Sequence, residues 1–349
     1  MKHVLVASDK FKGSLTAAQV GEAVRNGIHR VLPQLDVVVV PVADGGDGTL
    51  AAAVAAGFEP VWMAATGPTG EQVQARYARH GDVAVVELAD VSGLAQLPGG
   101  RLAPLTASSR GTGELIAAAL DRGCRRIIVG IGGSAGTDGG AGLISALGGK
   151  LLGSDGQQIA DGGAALADID RVDLGGLHPA LSSAEIVVAC DVDNPLVGPT
   201  GAAAVYGPQK GASPDDIARL DGALGRWADI VQSATGADHR STPGAGAAGG
   251  VGFAAIAMLG ATLRPGIDLM LELVEFHQHL EDAMLVITGE GSLDEQTLHG
   301  KAPAGVASAA VAAGIPVVAV CGRNLLSDEQ LRAAGVVAAY SLLDVEPDP

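Results

Sequence analysis

Basic residues are in short supply. The 349-residue chain carries 22 Lys+Arg against 39 Asp+Glu, a formal net charge of −17. No basic cluster offsets that excess, so a nucleic-acid surface or an anionic membrane is excluded as partner. Cysteine is equally sparse. Cys124, Cys190 and Cys321 lie far apart without CxxC spacing, which excludes a disulfide framework and a zinc knuckle. Histidines form no HxxxH or HExxH pair, and GxxxxGK[ST] occurs nowhere, so an ordinary P-loop is absent. Long apolar runs are also missing. The N-terminal run is too short for a signal peptide, and the uncharged stretch 241–263 holds Pro243 and six glycines. That stretch reads as a glycine loop feeding a buried helix, and the chain is expected to be cytoplasmic.

Glycine, by contrast, is abundant: 52 residues, about twice the usual share. There is no G-X-Y period, which excludes collagen. With 48% hydrophobic and 17% charged residues the chain is not disordered. The length predicts two domains or one large one. Apolar β-branched runs predict strands at 3–8, 36–42, 125–131, 185–190, 284–289, 316–321 and 335–340, with helices at 16–32, 48–57, 111–123, 214–234 and 301–314. This alternation implies an α/β fold with mainly parallel pairing. Residues 60–90 alternate apolar and polar instead, as antiparallel hairpins do. That shift marks the expected start of a second domain, 61–279, inserted into a first made of 1–60 plus 280–349.

The glycines cluster in loops after strands, beside carboxylates. SDKFKGS brings Asp9, Lys10, Lys12 and Ser14; ADGGDGT brings Asp44 and Asp47; GIGGSAGTDGG brings Ser134 and Asp138. DVDNPLVG brings Asp191, Asp193 and Asn194, GEGSLDEQ brings Glu290 and Asp294, and GRN brings Arg323. Ligands of open parallel sheets bind at the carboxyl ends of strands, where glycine lets backbone N–H groups approach phosphate. Carboxylates there suit Mg²⁺ binding and proton removal from a hydroxyl. Each loop singly is equally a turn with a helix cap; their recurrence points to phosphoryl transfer. A rival signal is GxGxxA at Gly130, Gly132 and Ala135, with the short strand KLLGS and Asp155 following. It keeps two alternatives open: an NAD(P)-dependent dehydrogenase of a small hydroxy acid, and a non-catalytic nucleotide-binding regulator.

The strings KGSLTA (12–17), PVADGGDGT (41–49), TGPTG (66–70), SSRGTGELI (108–116), GIGGSAGTDGGAG (130–142), ACDVDNPLVG (189–198), GPQKGAS (207–213), PGAGAAGG (243–250), TGEGSLDEQT (288–297) and GK (300–301) together resemble the bacterial class I glycerate kinases. The similarity runs from Met1 to about Tyr340. It implies ATP-dependent phosphorylation of D-glycerate with Mg²⁺, 2-phosphoglycerate being favoured over 3-phosphoglycerate. It also implies a Rossmann-like, mainly parallel sheet domain with a second α/β domain inserted, and an active site in the cleft between the two. The catalytic candidates are Asp191, Asp294 and Lys12, with Asp191 first as base or metal ligand and Asp294 second. Ser14, Arg110, Lys210, Asp44 and Asn194 are candidates for substrate. Gly132, Gly133, Ser134, Asp138, Gly246, Gly249, Glu290 and Lys301 are candidates for the nucleotide. The partners are small molecules, and a homo-oligomer is left open. Two departures stand out. The family has ATNDGG where this chain has AGTDGG, and it continues through a further helix where this sequence ends at Asp348-Pro349, so an uncovered apolar patch is expected.

Overall fold

A computed structural model describes residues 2–298 and 300–346; the end of the chain at Asp348-Pro349 lies outside them. The strands are β1 (His3–Ser8), β2 (Asp36–Val39), β3 (Glu59–Thr66), β4 (Gln72–His80), β5 (Val83–Glu87), β6 (Arg126–Gly130), β7 (Lys150–Gly153), β8 (Ile169–Asp173), β9 (Glu185–Ala189), β10 (Thr262–Arg264), β11 (Ala283–Leu293), β12 (Val317–Asn324) and β13 (Val336–Ser341). The chain divides into two units: Met1–Phe58 with Pro265–Pro349, and Glu59–Arg264. The protein is thus α/β, with one unit inserted in the other.

In the discontinuous unit the sheet order is β13-β12-β11-β1-β2, and every pair is parallel. Alternation along β1 explains why both faces are covered. Leu5 and Ala7 pack with Val286, Val317, Val306 and Met270 on one face. Val4 and Val6 pack with Val37, Ile287, Val24 and Ile28 on the other. Helix Ala17–Val31 starts where Thr16 accepts from the Gln19 amide and Gln19 reaches back, a complete capping box. Residues 265–279 belong here rather than with the insertion, because Ile267, Met270, Val274 and Phe276 join this core.

The inserted unit has a mixed sheet, β10-β9-β6-β5-β4-β3. The hairpin β3–β4 and the pair β4–β5 are antiparallel, as the alternation at 60–90 predicts; the remaining pairs are parallel. Helix Pro214–Thr235, capped by Ser213, buries Leu220, Leu224 and Trp227. Helix Ala247–Leu259 follows the glycine stretch and is buried along much of its length. No helix among the described residues is long and apolar enough to cross a membrane.

This unit also bears on the dinucleotide alternative. After β6 no helix opens at Ala135; the next begins at Ala141 and runs only to Ala146. KLLGS becomes β7, which pairs antiparallel with β8 in a separate two-stranded sheet. Asp155 accepts from the Gln157 amide within that hairpin at 2.9 Å. The helix start directly after Ala135 and a KLLGS strand parallel to β6, both of which this dinucleotide reading requires, are therefore missing.

Candidate active site

In the discontinuous unit, the ends of β1, β2 and β11 gather five carboxylates, Asp9, Asp44, Asp47, Glu290 and Asp294, with Lys10 and Lys301. Asp9 follows β1 and is 9% exposed. Its Oδ1 accepts from the Lys10 amide at 2.7 Å, and its own amide donates to the Gly289 carbonyl. Burial, with Asp44 and then Glu290 adding like charge, pushes the Asp9 carboxyl up to about 7. The Lys10 ammonium is engaged by Asp47, through the backbone carbonyl and at 3.2 Å through the carboxylate. Glu290 is buried and accepts from the Thr297 hydroxyl. Burial raises its carboxyl, against the lowering influence of Thr297 and Lys301. Lys301 caps helix Ala302–Ala312 and lies 3.7 Å from both Glu290 and Asp294. A cation at a helix start requires an anion nearby, and these carboxylates supply it. Asp294 also accepts from the Gln296 and Thr297 amides. Lys12 and Ser14 are exposed in the loop after β1, where Ser14 donates to the Phe11 carbonyl.

The inserted unit holds a second cluster, built around the loop after β6. Asp138 is fully buried, and one of its oxygens accepts from the Ser109 amide (2.8 Å), the Ser109 hydroxyl (2.9 Å), the Ser108 hydroxyl (3.3 Å) and the Gly142 amide (3.2 Å). The other accepts from the Gly140 amide. Asp138 thereby ties the loop to the start of helix Arg110–Asp121. Lys210 is also fully buried. Its amine donates to the Ser134 hydroxyl at 2.8 Å and to the Gly136 carbonyl. Burial lowers it to about 7, opposed by Asp138. A neutral amine has two N–H groups, and two acceptors are present.

The glycine stretch 243–250 packs on this loop backbone to backbone. Gly249, with φ +70°, would place a Cβ 2.2 Å from the Gly136 carbonyl oxygen, and its own carbonyl accepts from Gly139. Gly246 donates to the Asn194 carbonyl, and its Cβ would meet the Pro195 carbonyl oxygen at 2.2 Å. Of the glycines assigned to phosphate, Gly246 and Gly249 are therefore in close contact with other backbone. Gly133 is exposed and Gly132 half-buried.

Arg110 opens its helix with a two-pronged bond to Asp161, at 2.5 and 2.8 Å, which raises the guanidinium pKa. Asn194 accepts from the Tyr206 hydroxyl at 2.6 Å and donates to the Thr200 carbonyl. Asp191 and Asp193 are exposed beyond β9. The structure thus brings Asp44, Glu290, Asp294 and Lys301 together in one unit, and Ser134, Asp138, Lys210 and Gly249 together in the other. Asp191 and Asp294, the two metal candidates, belong to different units. Asp161 and Thr297 carried no signal of their own in the sequence, since their partners are remote or lie in a turn. Asp9 carried one: a carboxylate placed directly after an apolar strand.

The model of the glycerate kinase family matches residues 4–348. A glycerate kinase of Bacillus subtilis (strain 168) is 46% identical, over 97% of this chain and 90% of that protein. A glycerate 2-kinase of Escherichia coli (strain K12) is 45% identical over the same shares. A crystal structure provisionally assigned as glycerate kinase 2 of Salmonella typhimurium LT2 superposes with a TM-score of 0.89 at 44% identity, covering 98% of this chain and 92% of that one. With the match running through nearly the whole length, the chain belongs to the glycerate kinase family of phosphotransferases.

Proposed function

We propose that the chain transfers the terminal phosphoryl group of ATP to the 2-hydroxyl of D-glycerate, giving 2-phosphoglycerate and ADP. The observation that carries this reading is the set of carboxylates and lysines at the carboxyl ends of β1, β2 and β11, in an all-parallel sheet. Phosphoryl transfer needs positioned cations for the moving charge and a carboxylate for the hydroxyl proton. The regiochemistry draws on the Escherichia coli relative, which is named a 2-kinase.

Roles follow from exposure and partners. Lys12 is exposed and, among the described residues, has no ion-pair partner, so it is offered to the glycerate carboxylate or the moving phosphoryl group. Ser14, in the same loop, and Asp44, after β2, are offered as hydroxyl and carboxylate contacts. Gly132 and Gly133, accessible after β6, are offered to phosphate, with Lys210, Ser134 and Asp138 holding their loop in shape. Arg110 keeps a planar donor fork held in place by Asp161. Among the described residues no three His, Cys, Asp or Glu side chains converge to hold a metal ion. Mg²⁺ carried on a nucleotide triphosphate needs only one or two protein carboxylates. Mg²⁺ thus enters as part of the nucleotide substrate, with Asp294 or the exposed Asp191 as the carboxylate offered to it.

The test is proton-coupled ³¹P NMR of the product formed from ATP and D-glycerate. Coupling to a single methine proton is expected, giving a doublet. Coupling to a methylene pair would overturn the regiochemistry, and no phosphorylated product would overturn the kinase reading.

A further inference from the structure

The order of strands singles out one position in the discontinuous unit. The chain runs from β1 to β2 on one side of β1, then returns as β11 on its other side and proceeds outward to β12 and β13. The direction of winding therefore reverses between β1 and β11. In open parallel sheets the crevice at such a reversal, outside the carboxyl ends of the strands, is where ligands bind. The last paired positions of β1 are Ala7 with Thr288 and Ser8 with Gly289. The next residues along, Asp9 and Glu290, flank the reversal point.

Asp9 has the attributes of a reactive carboxylate rather than a structural one. It is buried, yet among the described residues its only side-chain hydrogen bond is from the Lys10 amide to Oδ1. Compare Asp138, whose oxygens take bonds from hydroxyls and amides on every side. The charged groups that act on Asp9 are Asp44 after β2, Lys10 in its own loop and Glu290 at the end of β11, while Asp47 pairs with Lys10 and Asp294 with Lys301. The two lysines are committed elsewhere: Lys10 to Asp47, and Lys301 to Glu290 and Asp294. Asp44 and Glu290 add like charge that Lys10 offsets only in part, and among the described residues no donor reaches Oδ2.

We propose that Asp9 is the proton acceptor for the hydroxyl that is phosphorylated; this rests on the kinase reading above and deepens it. The O–H bond of the glycerate hydroxyl breaks and its proton passes to Oδ2 of Asp9. The electron pair left on that oxygen forms the new bond to the terminal phosphorus of the nucleoside triphosphate. The bond from that phosphorus to the bridging oxygen breaks, and ADP leaves with the electron pair. Asp9 then returns its proton to water. A carboxylate that titrates near neutral pH is matched to this task, and Asp9, pushed up to about 7, meets that condition.

The experiment compares the wild-type protein with Asp9→Asn and Asp44→Asn. Asparagine at 9 keeps the acceptor oxygen for the Lys10 amide but cannot take the proton. It is expected to lower kcat by roughly 10²- to 10⁴-fold with KM for ATP and D-glycerate nearly unchanged. The wild-type rate is expected to rise with pH through a midpoint near 7. Asp44→Asn removes the like charge that acts most strongly on Asp9, so that midpoint is expected to move to lower pH. Wild-type kcat in Asp9→Asn overturns the assignment, as does a rising limb that Asp44→Asn leaves in place. Should Asp9→Asn not fold, the Asp44→Asn profile decides alone. Absence of any product from the wild-type protein overturns the kinase reading instead, and that result precedes the variants.

Discussion

Lys210→Met is the perturbation for which the structure gives a sign and a size together. Lys210 is buried entirely within the inserted unit, and burial brings its amine from the ordinary 10.5 down to about 7. Between those values the unfolded chain holds a proton that the folded chain does not, so raising the pH favours folding. The contribution approaches about 1.4 kcal/mol per pH unit and amounts to about 2 kcal/mol between pH 7 and pH 9, allowing for half-titration at 7. Methionine fills similar space and does not titrate. It forfeits the bonds to Ser134 and to Gly136, whose carbonyl is left unpaired at a cost of about 1–3 kcal/mol at any pH. Urea unfolding of both proteins at pH 7, 8 and 9 measures the difference. Trp62 and Trp227 are the only tryptophans and both lie in this unit, so their emission reports on it. The stability advantage of wild type over the variant is expected to grow with pH. A constant difference would mean that the folded protein carries a charged lysine at 210, refuting the neutral amine.

Other outcomes follow from the same geometry. Gly140→Ala places a Cβ 2.3 Å from that of Ala254 at φ +72°, whereas Gly236→Ala, at φ +81°, meets open space. Urea unfolding is expected to show a loss of about 1–2 kcal/mol for Gly236→Ala and about 1–3 kcal/mol more for Gly140→Ala; equal losses would deny the close packing. Ser109→Ala removes a hydroxyl that donates to Asp138 and accepts from the Leu143 amide, and the same assay should register about 1–3 kcal/mol. Thiol labelling of the native protein at pH 8 is expected to modify the half-buried Cys190 before Cys124 and Cys321. Both of these are buried, and the Cys321 thiol is pushed up to about 11; early labelling of Cys321 would contradict that environment.

Much of the architecture was legible in the chain because its determinants are local. The short β-branched run around Val4 and Val6, ending at the polar Ser8, favours a strand, and Thr16 and Ser213 start helices through bonds to residues three positions on. The hairpins at 60–90 announced themselves by period. The second boundary was less legible. Helix Gly266–Leu273 is apolar enough for either unit, and only its packing against Val306 and Val317 assigns it to the first. Glycine in a loop after a strand leaves open what approaches its backbone, and at Gly246 and Gly249 the structure brings other backbone carbonyls there.

The sequence by itself determined the α/β class, the inserted organisation, the family and the loops that carry its carboxylates. Only the tertiary structure decided what those residues face. Arg110 meets Asp161 across 51 positions, Lys210 meets Ser134 across 76, and Asp9 comes to lie beside Glu290 through strand pairing at a separation of 281. Propensity and capping act over a few residues and leave their mark in the order of side chains. Burial and like charge, which set the states of Asp9 and Lys210, are sums over neighbours that the chain brings together only by folding.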